Sequence, residues 1–354
     1  MTTKRLKRAL AAAALGLAGL MSAPFAAPAT SEAQAQTANV LERAKQRGYL
    51  TCGIHTGLPG FGYQDDQQQW RGLDVDLCRA VAAAIFDDPT KIRFVQTTTQ
   101  TRFIVVQTGD VDMLARNATY TLARDTAMGM AWPVINFFDG QGFIVRRSLN
   151  VTSVKGLSGA TICVTQGTTT ELNLADYFRS NNLNYEVVSF KTNEEGVKAF
   201  EAGRCDSFTT DSSGLAAERL KFANPNDFVI LPELISREPL GPAVRRGDEN
   251  FAAIVRWTHY AMLNAEDLGV TRANVAELAR STQSPEIRRL LGLDGKFGEA
   301  MGLSNDWALR IIRHVGNYGE VFERNVGAGS RLGLPRGLNA LWSQGGQQYP
   351  YPIR

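Results

Sequence analysis

GATICVTQG, residues 159–167, is a short apolar run enclosed by glycines, which is the pattern of a buried β-strand. A helical pattern follows at 171–180, then the strand YEVVSF at 185–190, a helical pattern at 193–202 and the strand CDSFTTD at 205–211. Strands that alternate with helices in this way predict a largely parallel sheet with helices packed against it.

The same alternation occurs earlier in the chain. YLTCGIHT at 49–56 predicts a strand, and GLDVDLCRAVAAAIF at 72–86 has its apolar residues at helical spacing. The strands IRFVQT and VDMLAR, with a helical pattern at 101–108 between them, and a further strand in GFIVRRS complete this copy. Two copies of the alternation predict an α/β protein of two lobes.

The chain after the second copy has a different pattern. REPLGPAVRRG at 237–247 contains two prolines and two glycines, which suits a connection back to the first lobe. From Glu249 onward the pattern is helical. Apolar residues at spacings of three and four predict a core face, and its members are Trp307, Ile311, Val315, Tyr318 and Phe322. No secondary structure is predicted for the glycine-rich segment after Asn325.

The N-terminus has the pattern of a secretory signal peptide that is cleaved after Ala35. Four basic residues precede an apolar run at 9–21, and small residues lead up to the cleavage site. The run is too short to span a bilayer, and no cysteine near Ala35 could carry a lipid, so no stable membrane insertion is expected. Loss of residues 1–35 lowers the formal net charge from +3 to zero, which argues against nucleic-acid binding.

The four cysteines of an exported chain predict two disulfides, with three possible pairings. Cys52 and Cys78 lie within one predicted strand–helix unit, and Cys163 and Cys205 lie on strands of the other lobe. A bridge between the lobes would lock any hinge, so the predicted pairs are Cys52–Cys78 and Cys163–Cys205. The cysteine spacings match no zinc motif and the three histidines are scattered, so no metal and no cofactor is expected.

NATYTLARDT, residues 117–126, groups hydroxyl side chains around one basic residue, Arg124. With six other segments it resembles the bacterial periplasmic solute-binding proteins of amino-acid ABC transporters, most closely the general L-amino-acid-binding type. The seven segments occur in the family's order over nearly the whole chain after residue 35. The other six are GLPGFGYQDDQQQWRGLDVDLCRAVAAAIF, FFDGQGF, QGTTTELNLADYF, GRCDSFTTDSSGLAAER, EPLGP and NDWALRIIRHVGNYGEVFERN.

The resemblance implies the two-lobed periplasmic-binding-protein fold, in which two α/β lobes are joined by two crossovers and hold the ligand between them, here with extra C-terminal helices. The crossovers expected to bend are Gln141–Arg146 and Glu238–Ala243. The implied divisions are a signal peptide at 1–35, lobe 1 at 36–143, lobe 2 at 144–240, a helical return of lobe 1 at 241–326 and a tail at 327–354.

The resemblance also implies how an amino acid would be held. A guanidinium grips a carboxylate through two charge-assisted hydrogen bonds, and Arg124 of TYTLAR matches the family's clamp, with Thr119 adding donors and Asn117 offering a carbonyl to the amine. Thr168 and Thr169 of lobe 2 would complete the carboxylate pocket at a helix N-terminus. Asp211 stands at the place of the family's amine-binding aspartate.

Each of these residue types also has a simpler structural explanation. An arginine such as Arg124 is more often a solvated surface charge, Thr168 and Thr169 before a helix are more often a cap, and Asp211 after a strand is more often a turn former. Their joint occurrence in the family's order favours the binding interpretation.

The part of the predicted site that would contact the ligand side chain departs from the pattern of several relatives. They place an aromatic ring where this chain has Leu58, so stacking specificity is relaxed and broad L-amino-acid recognition is expected. His55 stands where many relatives have an acidic residue, although a histidine at a strand end is more often structural. Thr99 and Arg102 lie where side-chain contacts could arise, and Arg102 could equally pair with an acidic residue.

The predicted function is that of the periplasmic substrate-binding component of an ABC transporter, with free L-amino acids and an inner-membrane ABC permease as partners and a monomeric state. The alternative is an enzyme on the same scaffold, dehydratase-like or lytic, acting on an amino-acid-like substrate. No nucleophile or metalloprotease motif supports it, so no catalytic residue is predicted. A sensory module is a further alternative, but no membrane-spanning segment follows the leader.

Overall fold

Two large β-sheets and one two-stranded sheet, formed by the second and third strands, organise residues 39–354, the part of the chain that the structure, a computed structural model, describes. The predicted signal peptide lies outside these residues. The strands are β1 (Leu50–His55), β2 (Tyr63–Gln64), β3 (Trp70–Arg71), β4 (Ile92–Thr97), β5 (Met113–Thr119), β6 (Met130–Ala131), β7 (Phe137–Asp139), β8 (Gln141–Arg146), β9 (Thr161–Thr165), β10 (Glu186–Phe190), β11 (Ser207–Asp211), β12 (Phe228–Ile230) and β13 (Glu238–Arg245).

Helices cover both sheets and form most of the C-terminal third. They are α1 (Val40–Arg47), α2 (Leu73–Phe86), α3 (Ile104–Thr108), α4 (Leu122–Ala127), α5 (Thr169–Ser180), α6 (Asn193–Glu201), α7 (Ser212–Arg219), α8 (Glu249–Asp267), α9 (Val275–Ser281), α10 (Pro285–Leu290), α11 (Phe297–Ala300), α12 (Trp307–His314) and α13 (Tyr318–Asn325). None of the helices in this part of the chain is long and apolar enough to cross a membrane.

The first sheet has the strand order β4-β1-β5-β13-β6, with β7 also paired to β13, and the second has the order β10-β9-β11-β8-β12. In each sheet the three strands that alternate with helices are parallel, as predicted. The other strands pair antiparallel, so the prediction of largely parallel sheets holds only for those three. The antiparallel pairs involve the two strands that follow a connection between the lobes. With β8 the chain enters lobe 2 from lobe 1, and with β13 it returns to lobe 1.

The chain passes between the sheets at Gly140 and again within residues 231–237. All of β8 pairs in the second sheet and all of β13 in the first, so the predicted lobe limits at 143 and 240 fall inside strands. The predicted bending segments, Gln141–Arg146 and Glu238–Ala243, likewise lie within sheet strands. The two connections pass closely, since a Cβ added at Gly140 would lie 2.9 Å from the main-chain oxygen of Ser236.

The predicted helical segment at 101–108 is shorter in the structure, because a turn precedes α3. In this turn the main-chain nitrogen of Thr98 donates to Oγ1 of Thr101 at 3.0 Å, and the nitrogen of Thr101 donates to Oγ1 of Thr98 at 3.2 Å. A threonine hydroxyl that binds nearby main-chain groups competes with helical hydrogen bonds. The helix at 171–180, in contrast, begins two residues earlier, at Thr169.

The apolar face predicted in the C-terminal segment is core, as expected. All five of its members, from Trp307 to Phe322, are less than 5% exposed. The face spans two helices rather than one, because α12 ends before Gly316, whose φ of 97° is a left-handed conformation that favours glycine. These helices pack on α2 and α8 in the large core of lobe 1.

Both predicted disulfides are present: Cys52 joins Cys78, and Cys163 joins Cys205. The first ties β1 to α2 within lobe 1, and the second connects β9 with the residues just before β11 in lobe 2. Neither bridge crosses between the lobes, so both are compatible with a hinge.

The C-terminal segment after Asn325 has only short 3-10 turns, in agreement with the absence of a predicted helix or strand there. It nevertheless packs against lobe 1. Asn339 makes two hydrogen bonds to the main chain of Phe138 in β7, and the Gln348 side chain contacts Nε2 of His259 in α8 at 3.0 Å. The tail therefore holds the strand that leads into the first connection between the lobes.

Candidate functional site

A cavity of about 40 Å³ lies where strand ends of the two lobes meet. His55 ends β1, Thr119 ends β5, Thr165 ends β9 and Asp211 ends β11. Carboxyl ends of parallel strands are the usual ligand sites of open α/β sheets. The lining residues are His55, Leu58, Thr99, Arg102, Arg116, Asn117, Thr119, Thr165, Thr168, Thr169, Thr170, Asn193, Thr210, Asp211 and Gly214.

The structure brings eight of the nine predicted ligand-binding residues together around this cavity. Arg124 is the exception, since it lies beside the lining rather than in it. The eight are His55, Leu58, Thr99, Asn117, Thr119, Thr168, Thr169 and Asp211.

Arg124 is buried in α4, directly behind the end of β5. Its Nη1 donates a hydrogen bond of 2.8 Å to the main-chain oxygen of Thr119, and its guanidinium lies 5.1 Å from the centre of the Phe103 ring. Burial lowers the pKa of Arg124, and the negative charges of Glu238 and Asp211 partly oppose that shift. Arg124 is therefore not a solvated surface charge, and it contacts Thr119, a residue that lines the cavity.

Thr168 and Thr169 begin helix α5 at the cavity wall. Oγ1 of Thr168 accepts from the main-chain nitrogen of Glu171 at 3.1 Å and donates to the oxygen of Thr165 at 2.6 Å, so this residue is the N-cap. Oγ1 of Thr169 lies 3.3 Å from Oγ1 of Thr119 on the opposite lobe. The helix N-terminus thus faces lobe 1 across the cavity.

Glu238, at the start of β13, holds both lobes through its carboxylate. Its Oε2 accepts from the hydroxyls of Thr119 at 2.6 Å and Thr169 at 3.0 Å, and its Oε1 accepts from Asn173 at 2.7 Å and Ser236 at 2.6 Å. The sequence placed Glu238 in a bending segment but not at the site. The hydroxyls that were predicted to bind a ligand carboxylate are thus bound to a carboxylate of the protein itself.

Asp211 is the carboxylate that faces the cavity from lobe 2. It occupies the N-cap position of α7 but makes no capping hydrogen bond, so a turn-forming role does not account for its side chain. Burial raises its pKa well above the usual range, and the charges of Asp139 and Glu238 raise it further. Asp139 is bound instead by the main-chain nitrogen and hydroxyl of Ser213, and burial raises its pKa to about 6.

Asn117 interrupts β5 where it lines the cavity. Its φ of 33° is left-handed, which is uncommon for a residue other than glycine but tolerated by asparagine. Its main-chain nitrogen donates to Asp74 at 3.0 Å, and its buried Oδ1 has no hydrogen-bond partner among residues 39–354. A side-chain oxygen at the cavity is therefore available to a donor, in addition to the predicted carbonyl.

His55 and Leu58 form the lobe 1 wall near Thr99. Nδ1 of His55 accepts from the main-chain nitrogen of Gly57 at 3.1 Å, and burial, followed by the positive charges nearby, holds the pKa of His55 well below its usual range. The imidazole is therefore neutral at pH 7. Leu58 is 2% exposed and presents an aliphatic surface to the cavity.

Two arginines at the cavity have no ion pair with any residue in 39–354, Arg102 and Arg116. The sequence interpretation left the role of Arg102 open and did not include Arg116. Arg116 ends the buried run VDMLAR, and a charge at the carboxyl end of a buried strand was the signal that could have identified it. The described residues also contain no group of three side chains that could hold a metal ion.

The family model for the bacterial extracellular solute-binding proteins, family 3, matches residues 50–270. The general L-amino acid-binding periplasmic protein AapJ of Rhizobium johnstonii is 51% identical over 351 residues, which cover 99% of this chain and 100% of that protein. The glutamate/glutamine/aspartate/asparagine-binding protein BztA of Rhodobacter capsulatus is 53% identical over 91% of this chain and 95% of its own length.

A solved structure has the same fold over most of the chain. It is an ABC transporter periplasmic binding protein from Brucella ovis with glutathione bound, and it is 52% identical with a TM-score of 0.87. The match covers 89% of this chain and 99% of the Brucella chain. The family match, the full-length relatives and the two-lobed fold agree, and the chain belongs to the bacterial extracellular solute-binding proteins of family 3.

Proposed function

We propose that this protein binds free L-amino acids of several kinds in the periplasm and delivers them to the inner-membrane permease of an ABC transporter. The observation that carries the proposal is one cavity between the lobes with guanidinium groups on lobe 1 and the carboxylate of Asp211 on lobe 2. Such a cavity is complementary to an amino-acid zwitterion. AapJ and BztA, which are named for amino-acid binding, and the ligand-bound Brucella protein support it.

In this proposal the ligand carboxylate binds to Arg124 and takes the place of the Glu238 carboxylate at the hydroxyls of Thr119 and Thr169, and the ammonium group binds to Asp211 and Asn117. A guanidinium gives the carboxylate two parallel hydrogen bonds, which are stronger than hydrogen bonds between neutral groups. The aliphatic surface of Leu58 discriminates little between ligand side chains. Amino acids with different side chains are therefore bound through the same contacts to their carboxylate and ammonium groups.

Binding closes the two lobes in this mechanism, because the groups for the two ends of the zwitterion come from different lobes. The lobes already contact each other in the structure, where Lys221 donates to the main-chain oxygen of Gly57 at 3.3 Å and Gln100 donates to that of Lys191. The motion takes place at Gly140 and residues 231–237. The closed pair of lobes is the surface that the permease recognises, and the protein acts as a monomer.

The enzyme alternative has no observation in its favour. The relatives named above are binding proteins, and the charged groups of the cavity are those that a zwitterion requires. Glutathione in the Brucella protein fits a family whose clefts accept ligands larger than one amino acid.

A calorimetric titration of the protein without residues 1–35 with each of the twenty L-amino acids tests the proposal. Binding of several of them with a stoichiometry of one is expected, and small-angle scattering is expected to show compaction at saturation. An absence of binding by all twenty would overturn the proposal, and binding without compaction would overturn the closure mechanism alone. Chemical conversion of a bound amino acid would favour the enzyme alternative.

A further inference from the structure

Asn339, in the tail at residues 327–354, binds both main-chain polar groups of one residue in β7. Its Oδ1 accepts from the main-chain nitrogen of Phe138 at 2.7 Å, and its Nδ2 donates to the main-chain oxygen of Phe138 at 3.0 Å. The side chain is buried, since Asn339 is only 5% exposed. An asparagine amide carries a donor and an acceptor, as a peptide group does, so Asn339 binds the edge of β7 as a further strand would.

The strand on the other side of β7 cannot replace these two hydrogen bonds. In β13 the residue opposite Phe138 is Pro239, which has no N–H. The main-chain oxygen of Pro239 accepts from the nitrogen of Tyr120 at 2.8 Å. Pro239 therefore offers Phe138 no donor, and its acceptor is already in use, so the main-chain groups of Phe138 depend on the tail.

The core of lobe 1 holds Asn339 in place. Nη2 of Arg336 donates to the main-chain oxygen of Asn339 at 3.0 Å. The same guanidinium forms an ion pair of 2.9 Å with Glu266 of α8 and lies 4.8 Å from the centre of the Phe322 ring in α13. Asn339 is therefore fixed to the helices of lobe 1 and connects them to β7.

The last residue of β7 and the residue after it hold the start of α7 in lobe 2. Asp139 accepts hydrogen bonds from the main-chain nitrogen and the hydroxyl of Ser213, and the nitrogen of Ser212 donates to the oxygen of Gly140 at 2.8 Å. Asp211, which binds the ligand ammonium group in the proposed function, directly precedes α7. A change in the position of β7 is therefore transmitted to Asp211.

We propose that Asn339 is a positioning residue for ligand binding: it fixes β7, and β7 fixes the end of α7 at which Asp211 meets the ligand. With β7 held on lobe 1, the lobes pivot at Gly140 and not further back in the strand. The effect on affinity rests on the proposed function. The effect on β7 and on the start of α7 does not depend on any ligand.

Hydrogen–deuterium exchange of the unliganded protein, followed by mass spectrometry, tests the connection between the tail and α7. Asn339→Leu removes both hydrogen bonds to Phe138, and Asn339→Asp keeps only the acceptor. Asn339→Leu is expected to speed exchange about tenfold at residues 137–141 and 211–215, and Asn339→Asp by a smaller factor. The control is Gln348→Leu, which removes a tail contact to His259 and should change neither segment.

Calorimetric titration with L-glutamine and L-alanine tests the effect on binding. Asn339→Leu should weaken both ligands by the same factor, about threefold to tenfold, because Asp211 binds the ammonium group that they share. Asn339→Asp should have a smaller effect, and Gln348→Leu should stay within about twofold of the wild type. Both leucine variants should lower the temperature of the thermal transition, so a purely structural role predicts equal affinities for the two variants.

The outcomes separate this inference from the proposed function. Unchanged exchange at residues 211–215 in Asn339→Leu, or equally fast exchange in Gln348→Leu, would overturn the inference. Faster exchange with unchanged affinity would overturn the role of Asn339 in ligand binding. A wild-type protein that binds none of the twenty amino acids overturns the proposed function, and the exchange measurement still decides whether Asn339 positions α7. If Asn339→Leu fails to fold, Asn339→Asp takes its place in both measurements.

Discussion

Two groups of charged residues at and near the cavity differ in how many hydrogen bonds the protein itself makes to them. At the hinge, Glu238 accepts four hydrogen bonds and Asp139 accepts bonds from Ser213 and Gly140. On lobe 1, the side chain of Arg116 makes one hydrogen bond to the described residues, to the main-chain oxygen of Thr97, and the side chain of Arg102 makes none. A satisfied polar network fixes local structure, whereas unsatisfied groups are costly. The hinge carboxylates therefore connect the two lobes, whereas Arg102 and Arg116 have no carboxylate partner among the described residues.

The largest effect that tests this comparison is expected for Arg124→Ala. Truncation leaves the ligand carboxylate buried without its charged partner, a loss of about 3 to 5 kcal/mol. That corresponds to binding weaker by roughly a hundredfold to several thousandfold. Titration with one acidic, one basic, one small and one aliphatic L-amino acid should show all four weakened together.

The control for Arg124→Ala is Arg93→Ala, at an exposed arginine of the same lobe, which should bind all four ligands as the wild type does. If Arg124→Ala spares even one of the four at near wild-type affinity, Arg124 does not bind the common carboxylate. In that case Arg102 or Arg116, which line the cavity directly, becomes the candidate clamp.

Asp211 should give the next largest effect and a dependence on pH. Burial, together with the charges of Asp139 and Glu238, raises the pKa of Asp211 well above its usual range, so this carboxyl group loses its proton at a higher pH than an exposed aspartate does. The ligand ammonium group needs the ionised carboxylate, so affinity should rise with pH until Asp211 is ionised, and binding below that pH should release a proton. Calorimetry in two buffers of different ionisation enthalpy measures this release.

The variant Asp211→Asn tests whether Asp211, rather than another carboxyl group, causes the pH dependence of ligand binding. It should weaken every amino acid by roughly tenfold to a hundredfold, as expected for losing a charged hydrogen-bond partner, and it should abolish the proton release. Release that persists in the variant would assign the proton to Asp139, whose pKa is raised to about 6, rather than to Asp211.

Glu238→Gln should have a smaller effect, since an amide keeps the shape of the side chain but loses the charge and one acceptor. The hydrogen bonds from the hydroxyls of Thr119 and Thr169 to residue 238, which connect the lobes, are then weaker. The unliganded protein should therefore have a larger radius of gyration in small-angle scattering. Affinity for amino acids should fall by only about threefold to tenfold. Unchanged scattering would show that Glu238 does not hold the lobes together.

Much of this molecule follows from its sequence, and the parts that do not have identifiable causes. Periodicity predicted the main strands and helices that alternate in the two lobes, and the positions of Cys163 and Cys205 within one lobe predicted their disulfide. The lobe limits were misplaced by a few residues, because the pattern of GFIVRRS shows a strand but not the sheet that it joins. That choice depends on which strand lies next to it in space.

The site was predictable to the extent that its residues lie in segments with a family pattern. Asn117, Thr119 and Asp211 lie in such segments and line the cavity. The role of Glu238 was not accessible, because it depends on partners that are distant in the chain: Glu238 contacts Thr119 across 119 residues. Arg116, in contrast, could have been identified from its place at the carboxyl end of a buried strand. A buried charge without a partner is also invisible in a sequence, since charged residues are usually solvated.

The smallest effect on overall affinity, and the largest on ligand ranking, is expected for Leu58→Tyr. In the proposed binding mode Leu58 contacts the side chain of the ligand and not its backbone, so the contacts of Arg124 and Asp211 should remain and the mean affinity should change little. A tyrosine ring adds a flat surface that favours planar and cationic side chains through stacking, worth about 0.5 to 2 kcal/mol. Titration with the same four ligands should show the basic ligand gaining on the aliphatic one. A uniform loss for all four would instead show that Leu58, which is 2% exposed, supports the fold of the site rather than its selectivity.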